Sequence, residues 1–234
     1  MVSRVQYGRR AHAGLAIVTW FSLALGLVLT VFNINPVGAL YANSLGDNPS
    51  GIAGLPGRVI DSFSYFTNLS LIIVGVVATM LARDPRRSGR VWSAILMDAL
   101  VMISITGLIY AVVLAPDAKV EGVDIIVNAL KHYIVPALTV IIWLFFGPRG
   151  QITFASIFTA LVVPITWALY TLIRGEFIAA YPYPFLNVIA YGLPTVLVNI
   201  AGVAAFGILL GLIFWGIDRL LARIRPSPAL SSEE

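Results

Sequence analysis

Thr67 and His132 are the residues of this chain best suited to covalent chemistry, and each lies inside a long apolar run, the second and the fourth of six. A hydroxyl is a poor nucleophile until a base about 2.6 to 3.2 Å away removes its proton, and an imidazole, with an ordinary pKa of about 6.5, is the natural base near neutral pH. A lone threonine in a membrane helix more often bonds its own preceding carbonyl or bridges helices. The histidine is harder to explain that way, because an imidazole about 10 Å deep must be hydrogen-bonded, and a polar group of that kind within an apolar run points to function. His12, the other histidine, falls near the far end of the first run. Helical spacing adds Ser64 and Ser70 three residues either side of Thr67, and Asn128 and Pro136 four either side of His132.

The elements that must position these residues follow from composition. Hydrophobic residues make up 59% of the 234, charged residues 11%, and the mean hydropathy is +0.92. No water-soluble arrangement could hide that apolar surface, so the sequence predicts an all-α polytopic membrane protein, a single bundle of six transmembrane helices. The spans are placed at about 11 to 34, 59 to 82, 91 to 115, 125 to 147, 152 to 173 and 192 to 217. Residues 1–225 then form the transmembrane domain and 226–234, with Pro226, Pro228 and Ser231 to Glu234, a disordered cytoplasmic tail. The first run is too long for a signal-peptide core, and no A-x-A site follows closely, so it is expected to be retained. No internal repeat is visible.

The net charge of +4 does not indicate nucleic acid, because the basic residues sit at helix ends rather than in an aromatic-interleaved groove. They report topology. Arg4, Arg9, Arg10, Arg83, Arg86, Arg87, Arg90, Arg149, Arg219, Arg223 and Arg225 fall on one side, against Arg58, Lys119, Lys131 and Arg174 on the other. The positive-inside rule places both termini in the cytoplasm, as in a multi-pass plasma (inner) membrane protein. On that topology Thr67 lies about 12 Å and His132 about 10 Å below the outer surface at 1.5 Å per residue, a shared depth. Cysteine is absent, which removes thiolate chemistry, and no second histidine on that side or H-x-x-E pattern supports a metal. No cofactor fingerprint is present, so none is expected.

Other polar residues have weaker claims. Asp61 is either a carboxylate at a helix N-terminus, the stronger reading, or a third group orienting His132. Asn68, Asn199 and Tyr183 are alternative oxyanion donors, and Asn128 joins them as a substrate-binding candidate. Asp98 and Asp218 are expected to pair with nearby arginines. Asn199, Tyr110, Trp167 and Tyr191 either line a cavity or bridge helices, while Trp143, Trp167 and Trp215 also look like interfacial anchors.

The stretches Ser64-Tyr65-Phe66-Thr67-Asn68, Leu130-Lys131-His132-Tyr133-Ile134-Val135-Pro136 and Tyr181-Pro182-Tyr183-Pro184-Phe185-Leu186 resemble the marks of a bacterial six-span family written Pr-six-Pr. More distantly they are similar to the eukaryotic androgen-induced FAR family, which hydrolyses fatty acid esters of hydroxy fatty acids. The resemblance implies a threonine nucleophile at Thr67 and a histidine partner at His132; Asn68 stands where it calls for an apolar residue. The expected function is therefore cleavage of an ester in a lipid-like acyl substrate, with membrane lipids as surroundings. A small-solute or lipid transporter, or a non-catalytic lipid-binding protein, is the alternative.

Overall fold

In hydrocarbon every peptide N–H and C=O must be paired, and a helix does this within one segment. The chain folds accordingly, with no strand among the described residues. The structure, a computed structural model, describes residues 4–34, 42–118 and 120–224. Residues 35–41 of the long loop, Lys119, Arg225 and the tail 226–234 lie outside the described residues.

The helices in chain order are α1 (Arg4–Phe32), α2 (Leu55–Ser64), α3 (Phe66–Arg83), α4 (Arg90–Ile109), α5 (Asp124–Ala129), α6 (Val135–Phe146), α7 (Phe154–Thr159), α8 (Val162–Ile178), α9 (Val188–Tyr191) and α10 (Leu193–Ile224). A π-helical turn, Tyr110–Leu114, prolongs α4, and a second, Leu130–Ile134, joins α5 to α6. Six stretches are long and apolar enough to cross a membrane: α1, α3, α4 with its extension, α5 with α6, α7 with α8, and α10. The expected second span, 59 to 82, is not one helix. It breaks at Tyr65, whose backbone is extended (φ −74°, ψ 130°), so α2 ends and α3 begins one residue apart.

Both π turns end two residues before a proline, Pro116 and Pro136. A proline has no N–H for the carbonyl four residues back and its ring crowds that carbonyl, so the preceding turn widens. At the second turn the crowded carbonyl belongs to His132, and Gly107 makes room for it: a Cβ there would lie 3.3 Å from the His132 oxygen and 3.0 Å from Pro136 Cβ.

Helix α4 is the axis of the bundle, packing against α3, α6, α7 and α10, and its Leu96, Met97, Leu100, Met102 and Ile103 are completely enclosed. Around it α1, α3 and α6 form a tight group, whereas α8 is joined to α2 by long side chains, Trp167 and Tyr170 reaching Ser64 and Arg174 reaching Asp61. Large apolar side chains such as Ile17, Phe21, Phe158, Ile173 and Val198 cover the outside. Three buried hydroxyls are satisfied within their own helices: Thr19 donates to the Leu15 carbonyl, Ser70 to Phe66 and Thr139 to Val135.

At one end of the bundle Arg4 donates to the Phe145 carbonyl, Arg9 to Ala82, and Asp218 accepts the amides of Gly150 and Ile152, with the Arg149 charge nearby. At the other end lie Arg58, Asp61 and Arg174. Asp98 does not pair with an arginine as expected; it is 4% exposed and its Oδ1 has no hydrogen-bond partner, because its helix position turns it into the bundle. Trp143 is likewise an interior residue rather than an interfacial anchor, packed edge-on to Phe214 and under the Arg149 guanidinium.

The tight group depends on close approach at Gly75, where a Cβ would fall 2.8 Å from Trp20 Cε2, while Trp20 Nε1 donates to Thr79 at 3.0 Å. Gly75→Leu should destabilise the bundle by about 1 to 3 kcal/mol, read as a lower unfolding temperature in detergent. Gly14→Leu, where nothing lies within 4 Å, should leave that temperature unchanged.

Candidate active site

The break at Tyr65 places Thr67 in the first turn of α3, not deep in a continuous helix, and so exposes first-turn peptide amides beside it. Asn68 and Leu69 donate to the Tyr65 carbonyl, but the Thr67 N–H donates instead to the Tyr183 hydroxyl at 3.3 Å. The Thr67 Oγ1 lies 3.3 Å from the same hydroxyl and 3.4 Å from His132 Nε2. His132 Nδ1 is 2.8 Å from Asn128 Oδ1, an acceptor, so Nδ1 carries the ring proton and Nε2 presents its lone pair to Thr67. Tyr110 stacks flat on the imidazole, centroids 3.8 Å apart and planes 13° from parallel. Each π turn thus supplies one ring of the stack.

The neighbouring pair runs parallel to this one. Lys131 Nζ donates to Asn68 Oδ1 at 2.8 Å, and Asn68 Nδ2 donates across the break to the Ser62 carbonyl at 2.6 Å. Residues 67 and 68 of α3 are therefore joined to 132 and 131 of the π turn, side by side. Both ends of the Asn68 amide are engaged, so it fastens α2 to α3 and is not a free oxyanion donor.

Tyr183 reaches Thr67 from a segment far along the chain. Tyr181 donates its N–H to the Asn43 carbonyl and accepts from Leu45 N–H, and Asn187 donates to the Ala42 carbonyl. Asn199 donates to the Phe185 carbonyl at 2.9 Å, which steadies the segment and removes Asn199 as a donor at Thr67. Burial pushes the Tyr183 phenol above its ordinary value, so it stands as a neutral O–H. Since its oxygen accepts from Thr67 N–H, its proton remains available to Oγ1 or to an oxygen that replaces it.

Asp61 has neither of the roles expected of it. It lies well inside α2, away from that helix's start and from His132, and its carboxylate takes the Arg174 guanidinium, Asn48 Nδ2 at 2.7 Å and Gly46 N–H at 3.2 Å. It binds the loop around residue 48 and the end of α8 to α2. Among the described residues no three His, Asp or Glu side chains are placed to hold a metal ion.

The cluster opens into a cavity of about 990 Å³, counting the space at its mouth. Thr67, His132, Tyr110 and Tyr183 stand at one end, and the rest of the wall is almost entirely apolar, drawn from α4, α7, α8 and α10. Trp167 and Tyr110 line this cavity, one of the roles the sequence left open to them, and Trp167 donates to the Ser64 carbonyl at 2.9 Å. Lys131 is the participant that sequence reasoning missed, and Pro136, five residues after it, was the available signal. No protein-family model, curated protein or solved structure matches the chain.

Asp61→Ala would strand the largely buried Arg174 charge, a loss of about 3 to 5 kcal/mol for a broken buried pair. A lowered unfolding temperature and faster proteolysis between residues 179 and 187 should follow. Asp61→Ala with Arg174→Ala should recover part of the loss.

Proposed function

We propose that this protein is an integral membrane hydrolase that cleaves an ester bond in a lipid-like acyl substrate, with Thr67 as nucleophile and His132 as base. The observation that carries this reading is the chain Thr67 Oγ1, His132 Nε2, His132 Nδ1, Asn128 Oδ1, with links of 3.4 and 2.8 Å, at the polar end of an apolar cavity. A nucleophile, its base and a third group that fixes the tautomer are the parts of acyl-transfer catalysis, recognised by geometry and not by fold.

The steps balance as follows. His132 Nε2 takes the Thr67 proton as Oγ1 adds to the ester carbonyl. The oxyanion is met by the Tyr183 O–H at the start of α3, where the helix dipole favours negative charge. Collapse breaks the C–O bond, and the leaving alkoxide takes the proton from Nε2. Water then attacks the acyl-threonine with the same histidine as base, releasing the acid and restoring the hydroxyl. Asn128 holds the ring in the tautomer this requires and Tyr110 holds its plane.

The resemblance in the Thr67, His132 and Tyr181 to Leu186 stretches supports the same reading, as does a wall with few polar groups to pass a solute. The site lies at the bundle end opposite most arginines, so on the positive-inside rule it opens near the outer leaflet of the plasma membrane and both termini are cytoplasmic. Reporter fusions after Glu234 should be active only in the cytoplasm; activity only outside would overturn that orientation.

Purified protein should release acid from long-chain esters. Thr67→Ala and His132→Ala should each lower turnover by about three or more orders of magnitude, and the double variant little further, because the pair acts as one unit. Unfolding temperatures should stay close to wild type. Full activity in both single variants, or none in folded wild type across an ester panel, would favour lipid binding or transport.

A further inference from the structure

The cavity continues well beyond the reacting groups. Along α4 its wall runs from Tyr110 to Val101, about 13 Å of helix at 1.5 Å per residue. Thr106, the polar residue of that stretch besides Tyr110, spends its hydroxyl proton on Ser70 at 3.1 Å, so the wall is apolar to its end. The far end closes where Ile157 of α7 meets Gly211 of α10: a Cβ at Gly211 would already lie 3.0 Å from Ile157 Cγ2. One turn nearer the site, Gly207 faces Ile105 Cδ1 and Val101 Cγ1, and a Cβ there would sit 3.4 and 3.6 Å from them, ordinary contact. An alanine would lie flush with the wall, while a larger side chain would have to enter the space. The side of the cavity is bounded by α8 and α10, two helices that make no broad contact with each other. Pro164 and Ile165 of α8, with Leu161 just before it, line the cavity on this side together with Ile200 and Ala204 of α10, and Ile165 is also half exposed on the outer apolar surface.

We propose that this cavity is a binding site for one unbranched acyl chain, entered sideways from the bilayer between α8 and α10, with Gly207 setting the length it accepts. This rests on the hydrolase reading for the ester at its polar end, but not for the binding of the chain. A hydrocarbon chain fits because the path is long and apolar. The sideways gap lets the chain move from lipid to protein without crossing water.

Two readouts test it. In the first, wild type, Gly207→Ala, Gly207→Leu and Gly202→Leu are assayed on nitrophenyl esters from butyrate to palmitate and on phosphatidylcholine vesicles. Gly202 has nothing within 4 Å and serves as the lipid-facing control. Gly207→Leu should lower kcat/KM for the longest esters by about tenfold or more, leave butyrate unchanged, and move the optimum to shorter chains. Gly207→Ala and Gly202→Leu should keep the wild-type profile. Acid release from the vesicles with the same dependence on Gly207 would identify membrane phospholipid as the source of the chain, and activity confined to the single-chain esters would identify free amphiphiles; both support the site.

The second readout needs no turnover. Fatty acids brominated at mid-chain should quench Trp167 fluorescence in the Thr67→Ala protein, with Trp167→Phe as the blank, and Gly207→Leu should weaken this for long chains alone. A hydrolase whose length profile ignores Gly207→Leu would overturn the chain site and leave the hydrolase reading intact. Length-dependent quenching without esterase activity in wild type would do the reverse. Absence of both length dependence and quenching would end the proposal.

Discussion

An unpaired peptide group in hydrocarbon costs several kcal/mol, and that constraint governs where this bundle is able to depart from regular helix. It departs at the break around Tyr65 and at the two π turns, and all three meet at the candidate site. The break is tolerated because its loose ends are taken up. Trp167 donates to the Ser64 carbonyl, Asn68 to the Ser62 carbonyl, and Tyr183 accepts the Thr67 amide. The residues that repair the backbone are thus those that surround Thr67, the proposed nucleophile. Repairing the helix and building the site are one structural act, since the Tyr183 hydroxyl that accepts the Thr67 amide keeps its own proton for charge that develops on an adjacent oxygen.

The same economy explains the π turns. A proline at Pro136 deprives the His132 carbonyl of its helical partner, and the widened turn that results swings Lys131 and His132 toward adjacent residues of α3. Regular α-helical spacing would set two consecutive side chains about 100° apart, which makes a side-by-side pair of links to Asn68 and Thr67 hard to form. The widening before Pro116 brings Tyr110 over the imidazole. Gly107 lets the two helices approach closely enough for both.

Much of this was legible in the sequence and some was not. Six apolar runs gave six candidate spans because the bilayer fixes their length, and Thr67 and His132 stood out because polar groups there are costly. The break at Tyr65 was not legible: Ser-Tyr-Phe-Thr carries no glycine or proline, and the extended residue is held by Trp167 and Tyr183, more than a hundred positions away. The roles of Asp61 and Asn199 were misjudged for the same reason, since each is decided by a distant partner, Arg174 for the first and the Phe185 carbonyl for the second. Asn128 was found because its link to His132 is local, four residues on one helix face. Local periodicity reports such pairs, whereas tertiary contacts between polar groups leave no periodic trace.

The bundle divides its labour unevenly, and the division matches what the proposed catalysis and lipid access would each demand. Helices α1, α3, α4 and α6 pack closely through Gly75 and Gly107, and they carry Thr67 and His132, whose usefulness depends on sub-ångström placement. Helices α7, α8 and α10 bound the apolar cavity, where the proposed hydrocarbon chain needs room and no fixed geometry. Glycine serves both halves, drawing α1 to α3 at Gly75 and α7 to α10 at Gly211 while leaving space at Gly207. Tyr183 is the link between the halves. It stands on the segment that follows α8, yet its hydroxyl closes the first turn of α3. The loop around Asn43 and the Asp61 to Arg174 ion pair hold that segment in place, and with it the tyrosine beside the threonine.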